Sequence, residues 1–259
     1  MITFYKYQGT GNDFIMIDNR DKKFVPDLPS IKKLCDRRFG IGADGLILLE
    51  NVKDYDFNMV YFNSDGNEST MCGNGGRCIV AFAAFLGVVK NSAEFIAIDG
   101  EHKAEIFENG IVSLKMKDVS AIEKSVNDFI LDTGSPHFVR FVDKISDVDV
   151  FIEGRKIRRS EPFGAKGINV NFVEFKDGVL NVRTYERGVE DETLSCGTGV
   201  TASALAVASA GLVNGKEECS IVVPGGSLKV KYKAQQGNSF TDIWLEGLAQ
   251  FVFKGEIEL

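Results

Sequence analysis

"ESTMCGNG", Glu68 to Gly75, and "ETLSCGTG", Glu192 to Gly199, are two versions of one phrase. Placing Cys72 on Cys196 fixes an offset of 124 residues, and Glu68, Gly73 and Gly75 then fall on Glu192, Gly197 and Gly199. Eleven residues before each cysteine stands a tyrosine, Tyr61 or Tyr185, and fifteen after it a glycine, Gly87 or Gly211. The offset also holds far upstream. "NDFIMI" overlies "PHFVRF", with Phe14 on Phe138, and "FGIGADG" overlies "FGAKGIN", with Phe39-Gly40 on Phe163-Gly164. Distant blocks that agree without gaps imply two tandem copies of one unit of roughly 120 residues, a domain duplication and not an array of short repeats.

Each copy reads as strands followed by one long helix. "DFIMIDN", "GLILLE", "DFNMVYFN", "SAEFIAID" and "GIVSLKM" have strand character in the first copy. "HFVRFVD", "NVNFVEF", "VLNVRTYE", "SLKVKY" and "TDIWLEG" have it in the second. A helix is expected from about Asn74 to Leu86, stopped by Gly87, and another from about Thr198 to Ala210, stopped by Gly211. Both are apolar on nearly all sides ("CIVAFAAFL", "ASALAVASA"), so both must be surrounded by protein. The expected fold class is α+β: two pseudo-symmetric halves, each a curled, mostly antiparallel, barrel-like sheet around a central buried helix. Residues 1–116 plus 248–259 are assigned to the half carrying Cys72, and 117–247 to the half carrying Cys196.

Bulk properties narrow the function. The chain has 259 residues, 44% hydrophobic and 26% charged, which is ordinary globular composition. A net charge of -7 argues against a nucleic-acid partner, which needs a basic face. The longest apolar run, Ile79 to Val89, has 11 residues and is too short to span a bilayer, so no membrane partner is expected. The start, "MITFYKYQGTGNDF", lacks the basic and apolar regions of a signal peptide. Five cysteines without framework spacing then fit a cytoplasmic protein with reduced thiols. No metal is expected: the two histidines are 35 positions apart, and neither CxxC nor HExxH occurs.

Cys72 and Cys196 each sit at a helix start, where free N–H groups and the positive dipole end favour a thiolate over the reference pKa of about 8.5. Glycines there allow a ligand carboxylate to approach the N–H groups. Two such thiols on opposite faces of one carbon suit stereo-inversion: one removes a proton, the other returns one. N–H groups holding the adjacent carboxylate would stabilise the developing charge, and no cofactor is required. A CGxG turn alone is a weak motif, and duplication is what raises it. Cys35, Cys78 and Cys219 have no such context and read as small buried apolar residues.

"KYQGTGNDFIMID", "FGIGADGL", "FNSDGNESTMCGNGGRC", "GSPHFV", "INVNFVE" and "YERGVEDETLSCGTG" together resemble the pyridoxal-independent diaminopimelate epimerases, nearly end to end. The resemblance implies interconversion of LL- and meso-diaminopimelate, on the route to lysine and cell-wall precursors. It puts the catalytic thiols at Cys72 and Cys196, and substrate-holding positions at Asn12, Asn63, Asn169, Glu186 and Arg187. Gly73, Asn74, Gly197 and Thr198 would cradle the reacting carboxylate. Arg187 offers a planar fork for a carboxylate, Glu186 could accept an ammonium, and the asparagines supply donors and acceptors. The same residues could also be a solvated ion pair and turn asparagines.

His137 is expected, with Glu186, to help set thiol protonation; the simpler alternative is a packed histidine after Pro136. His102, in "DGEHKAE", reads as a surface residue. The family commonly has "GNPH" where this chain has "GSPH", so Ser135 puts the distal substrate contacts in question. Dimerisation is compatible with the resemblance, although the sequence shows no interface signature. Three rivals remain. Proline or hydroxyproline racemases share the two-cysteine chemistry. A Cys-His hydrolase would use His137 as base but leave the second cysteine unexplained. A dithiol redox switch would need no catalysis.

Overall fold

The computed structural model describes residues Met1–Glu258. It divides into two compact units, Met1–Leu114 with Gly247–Leu259, and Lys115–Glu246.

In the first unit, strand Ile2–Gly9 pairs antiparallel with Gln250–Ile257 on one side and Asn12–Asp18 on the other. Asn12–Asp18 runs parallel to Gly45–Glu50, which pairs antiparallel with Phe57–Asn63. Phe57–Asn63 runs parallel to Ser92–Ala97, and antiparallel strands Gly100–Ile106 and Ile111–Lys115 follow. A parallel pair needs a crossover, and each is made by a helix: Leu28–Cys35 for the first, Gly73–Phe85 for the second.

The second unit repeats this order. Asp128–Asp132 pairs antiparallel with Pro136–Phe141, which runs parallel to Asn169–Lys176. Val179–Glu186 follows antiparallel, then Glu218–Val223 parallel to it and Gly226–Gln235 antiparallel. The crossovers are Val150–Arg158 and Gly197–Ser209. The short helices Leu28–Cys35 and Val150–Arg158 were not expected from sequence. Each has too few apolar positions to stand out, and each is started by an aspartate side chain, Asp27 or Asp149, that accepts the N–H of Ser30 or Ile152.

The long helices, Gly73–Phe85 and Gly197–Ser209, keep the 124-residue offset at both ends and begin one residue earlier than expected. Strands touch the first from Ile2–Gly9, Asn12–Asp18, Gly45–Glu50, Gly100–Ile106 and Gln250–Ile257, and the second is enclosed likewise by strands of its own unit. Ile79, Val80 and Phe82 in one, and Val200, Leu205 and Val207 in the other, are fully buried. Each such side chain contributes about 1.5–3 kcal/mol by leaving water. Gly87 and Gly211, at φ 72 and 77, stop both helices in the left-handed region. The N–H groups of Gly87 and Val88 return to the carbonyls of Ala84 and Ala83, and those of Gly211 and Leu212 to Ala208 and Val207. Among the described residues, no helix is long and apolar enough to cross a membrane.

Candidate active site

Both duplicated cysteines are helix N-caps. Cys72 has φ -104 and ψ 146, and its Sγ accepts the Gly75 N–H at 3.2 Å. A Cβ at Gly75 would stand 3.1 Å from that sulfur and from Ile47 Cδ1, so glycine lets the thiol fold back over the helix end. Cys196 has φ -121 and ψ 111 and makes no such cap; its Sγ lies 3.5 Å from the Thr198 hydroxyl instead. The two thiols thus share a backbone position and differ in what meets the sulfur.

The first unit builds a polar network around Cys72. Asn74 Nδ2 donates to Asn12 Oδ1 at 3.3 Å, and Asn12 Nδ2 donates to Asp44 Oδ2 at 2.6 Å. Asp44 and Asp13 share Arg37, at 2.7 and 2.6 Å, and Lys6 pairs with Asp13 at 2.8 Å. Burial works against the Asp13 charge, but the bonds from Arg37 and Lys6 outweigh it and hold that carboxyl at about 2. Beneath Asn74 lies Arg77, whose Nη2 donates to Asn74 Oδ1 at 3.0 Å and Nη1 to the Gly73 carbonyl at 3.0 Å. Asn12, Gly73 and Asn74 therefore gather with Cys72. Asn63 ends the strand Phe57–Asn63, paired with Gly45.

The second unit holds two linked clusters. In one, Asn171 Nδ2 donates to His137 Nδ1 at 3.1 Å and to the Phe138 carbonyl at 3.0 Å. Nδ1 is then the acceptor, and the ring proton sits on Nε2, 2.9 Å from Thr198 Oγ1. Thr198 accepts from the ring and is left to donate to the Cys196 sulfur. Thr184 starts the chain by donating to Asn171 Oδ1 at 2.9 Å. Every donor in the series points toward sulfur, which favours its charged form. His137 is fully buried, and desolvation pushes its pKa down to about 3, so it acts as a neutral donor near pH 7 and not as an acid–base group.

The other cluster unites Ser135, Asn169 and Arg187. Asn169 Nδ2 donates to Ser135 Oγ at 2.9 Å and to the Pro136 carbonyl at 3.1 Å, while its Oδ1 accepts the Arg187 N–H at 2.9 Å. Arg187 Nη2 reaches Ser135 Oγ at 3.4 Å and Nη1 reaches the Lys166 carbonyl at 3.4 Å. Ser135 thereby joins the asparagine to the guanidinium. Glu186 ends the strand Val179–Glu186, and Gly197 and Thr198 open the long helix.

A model of the diaminopimelate epimerase family matches residues 4–122 and 129–252. The chain belongs to that family. The diaminopimelate epimerase of Flavobacterium psychrophilum is 57% identical over 255 residues, 98% of this chain and 99% of the relative. That of Aquifex aeolicus is 40% identical over 274 residues, covering 98% and 97%. Solved structures share the fold well beyond the diaminopimelate epimerases. A phenazine biosynthesis protein of the PhzF family from Bacillus anthracis matches with TM-score 0.75 at 14% identity, over 100% of this chain and 99% of its own. A probable proline racemase from Agrobacterium radiobacter matches at 0.71 and 13%, over 100% and 93%. The α+β fold with two repeated domains is thus established.

Sequence reasoning missed Asn171, Thr184, Arg77 and Asp44. Asn171 and Thr184 lie inside runs read only as strands, and Asp44 inside "FGIGADGL". Arg77 did leave a signal, a charged residue within an otherwise apolar helix. One expectation fails. His102 is no surface residue: its side chain is 12% exposed, 3.4 Å from Asp99, and its ring lies 5.2 Å from that of Phe95. The strand Gly100–Ile106 turns that position inward against Phe95, its cross-strand partner. Cys35, Cys78 and Cys219 are buried, and desolvation pushes their thiols up to about 11, 12 and 11, which leaves them protonated and inert.

Proposed function

We propose that this chain interconverts LL- and meso-diaminopimelate by two-thiol proton transfer, drawing on no cofactor. The observation that carries the reading is the 57% identity, nearly end to end, with a diaminopimelate epimerase, on a chain whose two helix-capping cysteines repeat at one offset. One cysteine, as thiolate, takes the α-proton from one face of the stereocentre; the other, as thiol, returns a proton to the opposite face. N–H groups at Gly73-Asn74 and Gly197-Thr198 hold the reacting carboxylate and stabilise the carbanionic charge. Asn12, Asn63, Asn169, Glu186 and Arg187 recognise the second amino-acid end, with Ser135 bracing Asn169 and Arg187 from behind. Five free thiols suit a reducing compartment, and we place the protein in the cytoplasm. A small amino acid is then its partner, and self-association as a homodimer belongs to the same reading.

The test is α-proton exchange and isomer interconversion with LL-diaminopimelate in heavy water, followed by NMR. Wild type should wash deuterium into the α-position. Cys72→Ala and Cys196→Ala should each lose interconversion by at least about a thousandfold. Turnover of L-proline in place of diaminopimelate, or interconversion that survives the loss of either cysteine, would overturn the reading.

A further inference from the structure

Glu190 holds a backbone angle that glutamate rarely adopts. Its φ is 60, in the left-handed region. Most of the other described non-glycine residues with positive φ are aspartates or asparagines, whose short side chains tolerate it. The repeat sharpens the contrast. The residue 124 positions earlier is Gly66, at φ 87. Its turn carries Asn63, and the turn that ends at Glu190 carries Arg187, which stands on Asn63 at the same offset. The second turn is the tighter one. Phe62 pairs with Glu68, six positions on, whereas Glu186 pairs with Asp191, five positions on. A Cβ at Gly66 would stand 2.8 Å from the Leu28 carbonyl, so the first turn has no room for a side chain. Glycine would also suit the bend at Glu190. What glutamate adds there is a carboxylate.

That carboxylate gathers the turn and its surroundings. Oε1 accepts the Gly188 N–H at 3.2 Å and Arg158 Nε at 3.0 Å. Oε2 accepts the Tyr185 hydroxyl at 3.3 Å and lies 4.0 Å from Arg159 Nη2. The Glu190 N–H closes the turn on the Glu186 carbonyl at 2.8 Å. These anchors are fixed by packing. Tyr185 is fully buried, and a Cβ at Gly154, in the helix Val150–Arg158, would stand 2.4 Å from Tyr185 Cβ. Arg158, the last residue of that helix, lies against Gly167, where a Cβ would stand 2.1 Å from Arg158 Nη1. Gly167 follows Lys166, whose carbonyl accepts Arg187 Nη1 at 3.4 Å. One ion pair therefore braces Arg187 from two sides. Glu190 fixes the turn from which the Arg187 side chain leaves, and Arg158 packs on the loop that receives its guanidinium.

Resting on the reading above, we propose that Glu190 and Arg158 are positioning residues for the end of diaminopimelate that does not react. They hold Glu186 and Arg187 in the arrangement that receives an amino-acid end, so that the substrate meets groups already ordered. Losing either weakens substrate binding and leaves proton transfer in place.

The experiment measures kcat and KM for LL-diaminopimelate, and hydrogen exchange of the substrate-free full chain, in Glu190→Gly, Glu190→Gln, Arg158→Met and the double variant of Glu190→Gly with Arg158→Met. Glycine takes the left-handed turn without strain, so Glu190→Gly removes the carboxylate and keeps the backbone. It should raise KM roughly tenfold and leave kcat within about twofold of wild type. Exchange should speed up in residues 186–191 and stay unchanged in Gly197–Ser209. Glu190→Gln keeps an acceptor for Gly188 and Arg158, and should restore most of the lost affinity. Arg158→Met should raise KM by a similar factor, and add less than about twofold on top of Glu190→Gly, because the pair acts as a unit. An unchanged KM in Glu190→Gly overturns the proposal, as does a fall in kcat as large as the rise in KM. Unmoved exchange in residues 186–191, a Glu190→Gln as weak as Glu190→Gly, or fully multiplying effects in the double variant also overturn it. A wild-type chain without action on diaminopimelate, whose exchange responds as stated, would defeat the functional reading alone. An active epimerase whose KM ignores Glu190 would defeat the Glu190 assignment alone.

Discussion

His137 illustrates how one side chain can brace its neighbours through both ring nitrogens without titrating near neutral pH. Buried between Asn171 and Thr198, it keeps a neutral ring whose pKa is pushed down to about 3 by desolvation. The folded value lies below the unfolded value of about 6.5. The stabilisation is therefore complete above pH 6.5 and is lost as pH falls from there toward 3, with a slope of at most about 1.4 kcal/mol per pH unit. His137→Gln should flatten this: urea-unfolding free energies of wild type and variant should converge between pH 6.5 and 4. Parallel curves over that range would show that the ring does titrate freely in the fold. The family resemblance marked His137 as a candidate, but not Asn171, which sets its tautomer. An asparagine inside a strand pattern carries no sign of which ring it will meet after the chain folds.

At the scale of the element, the long helices were legible almost to the residue, since a continuous apolar run between a CGxG turn and a stop glycine leaves little choice. The short helices Leu28–Cys35 and Val150–Arg158 were not, because eight or nine residues with few apolar positions give no clear period. Two glycines of the Cys196 helix separate packing from cap strain. A Cβ at Gly199 would stand 2.3 Å from Asn171 Oδ1 and 3.3 Å from His137 Cε1, whereas at Gly211, φ 77, nothing lies within 4 Å. Gly199→Ala must displace a buried, fully bonded amide, and is expected to cost about 1–3 kcal/mol and lower kcat at least about tenfold. Gly211→Ala should cost about 1 kcal/mol of left-handed strain and leave kcat as in wild type. Thermal unfolding and proton-exchange rates measure both. Equal kcat losses in the two variants would mean that Asn171 does not support the thiol.

For the whole molecule, the duplication was readable because three blocks kept one spacing, and the structure returns the same strand order twice. Less readable was how the first unit is completed. Its edge strand Ile2–Gly9 is covered by Gln250–Ile257, with Phe253 set edge-on to Phe4 at 5.9 Å and Phe251 to Tyr7 at 5.6 Å. Removing residues 249–258 should expose Phe4 and Tyr7 and loosen the unit that carries Cys72. Hydrogen exchange should then rise in Ile2–Gly9 and Asn12–Asp18 and stay unchanged in Asn169–Lys176 and Val179–Glu186. Uniform exchange gains across both units would show instead that they unfold as one.

That covering strand also makes the two units differ in how much of the chain each needs to be complete. Lys115–Glu246 is one continuous stretch of chain, whereas the unit begun at Met1 also needs residues up to Ile257. Until that strand docks on Ile2–Gly9, the first unit carries an open sheet edge that chaperones or neighbouring chains can engage.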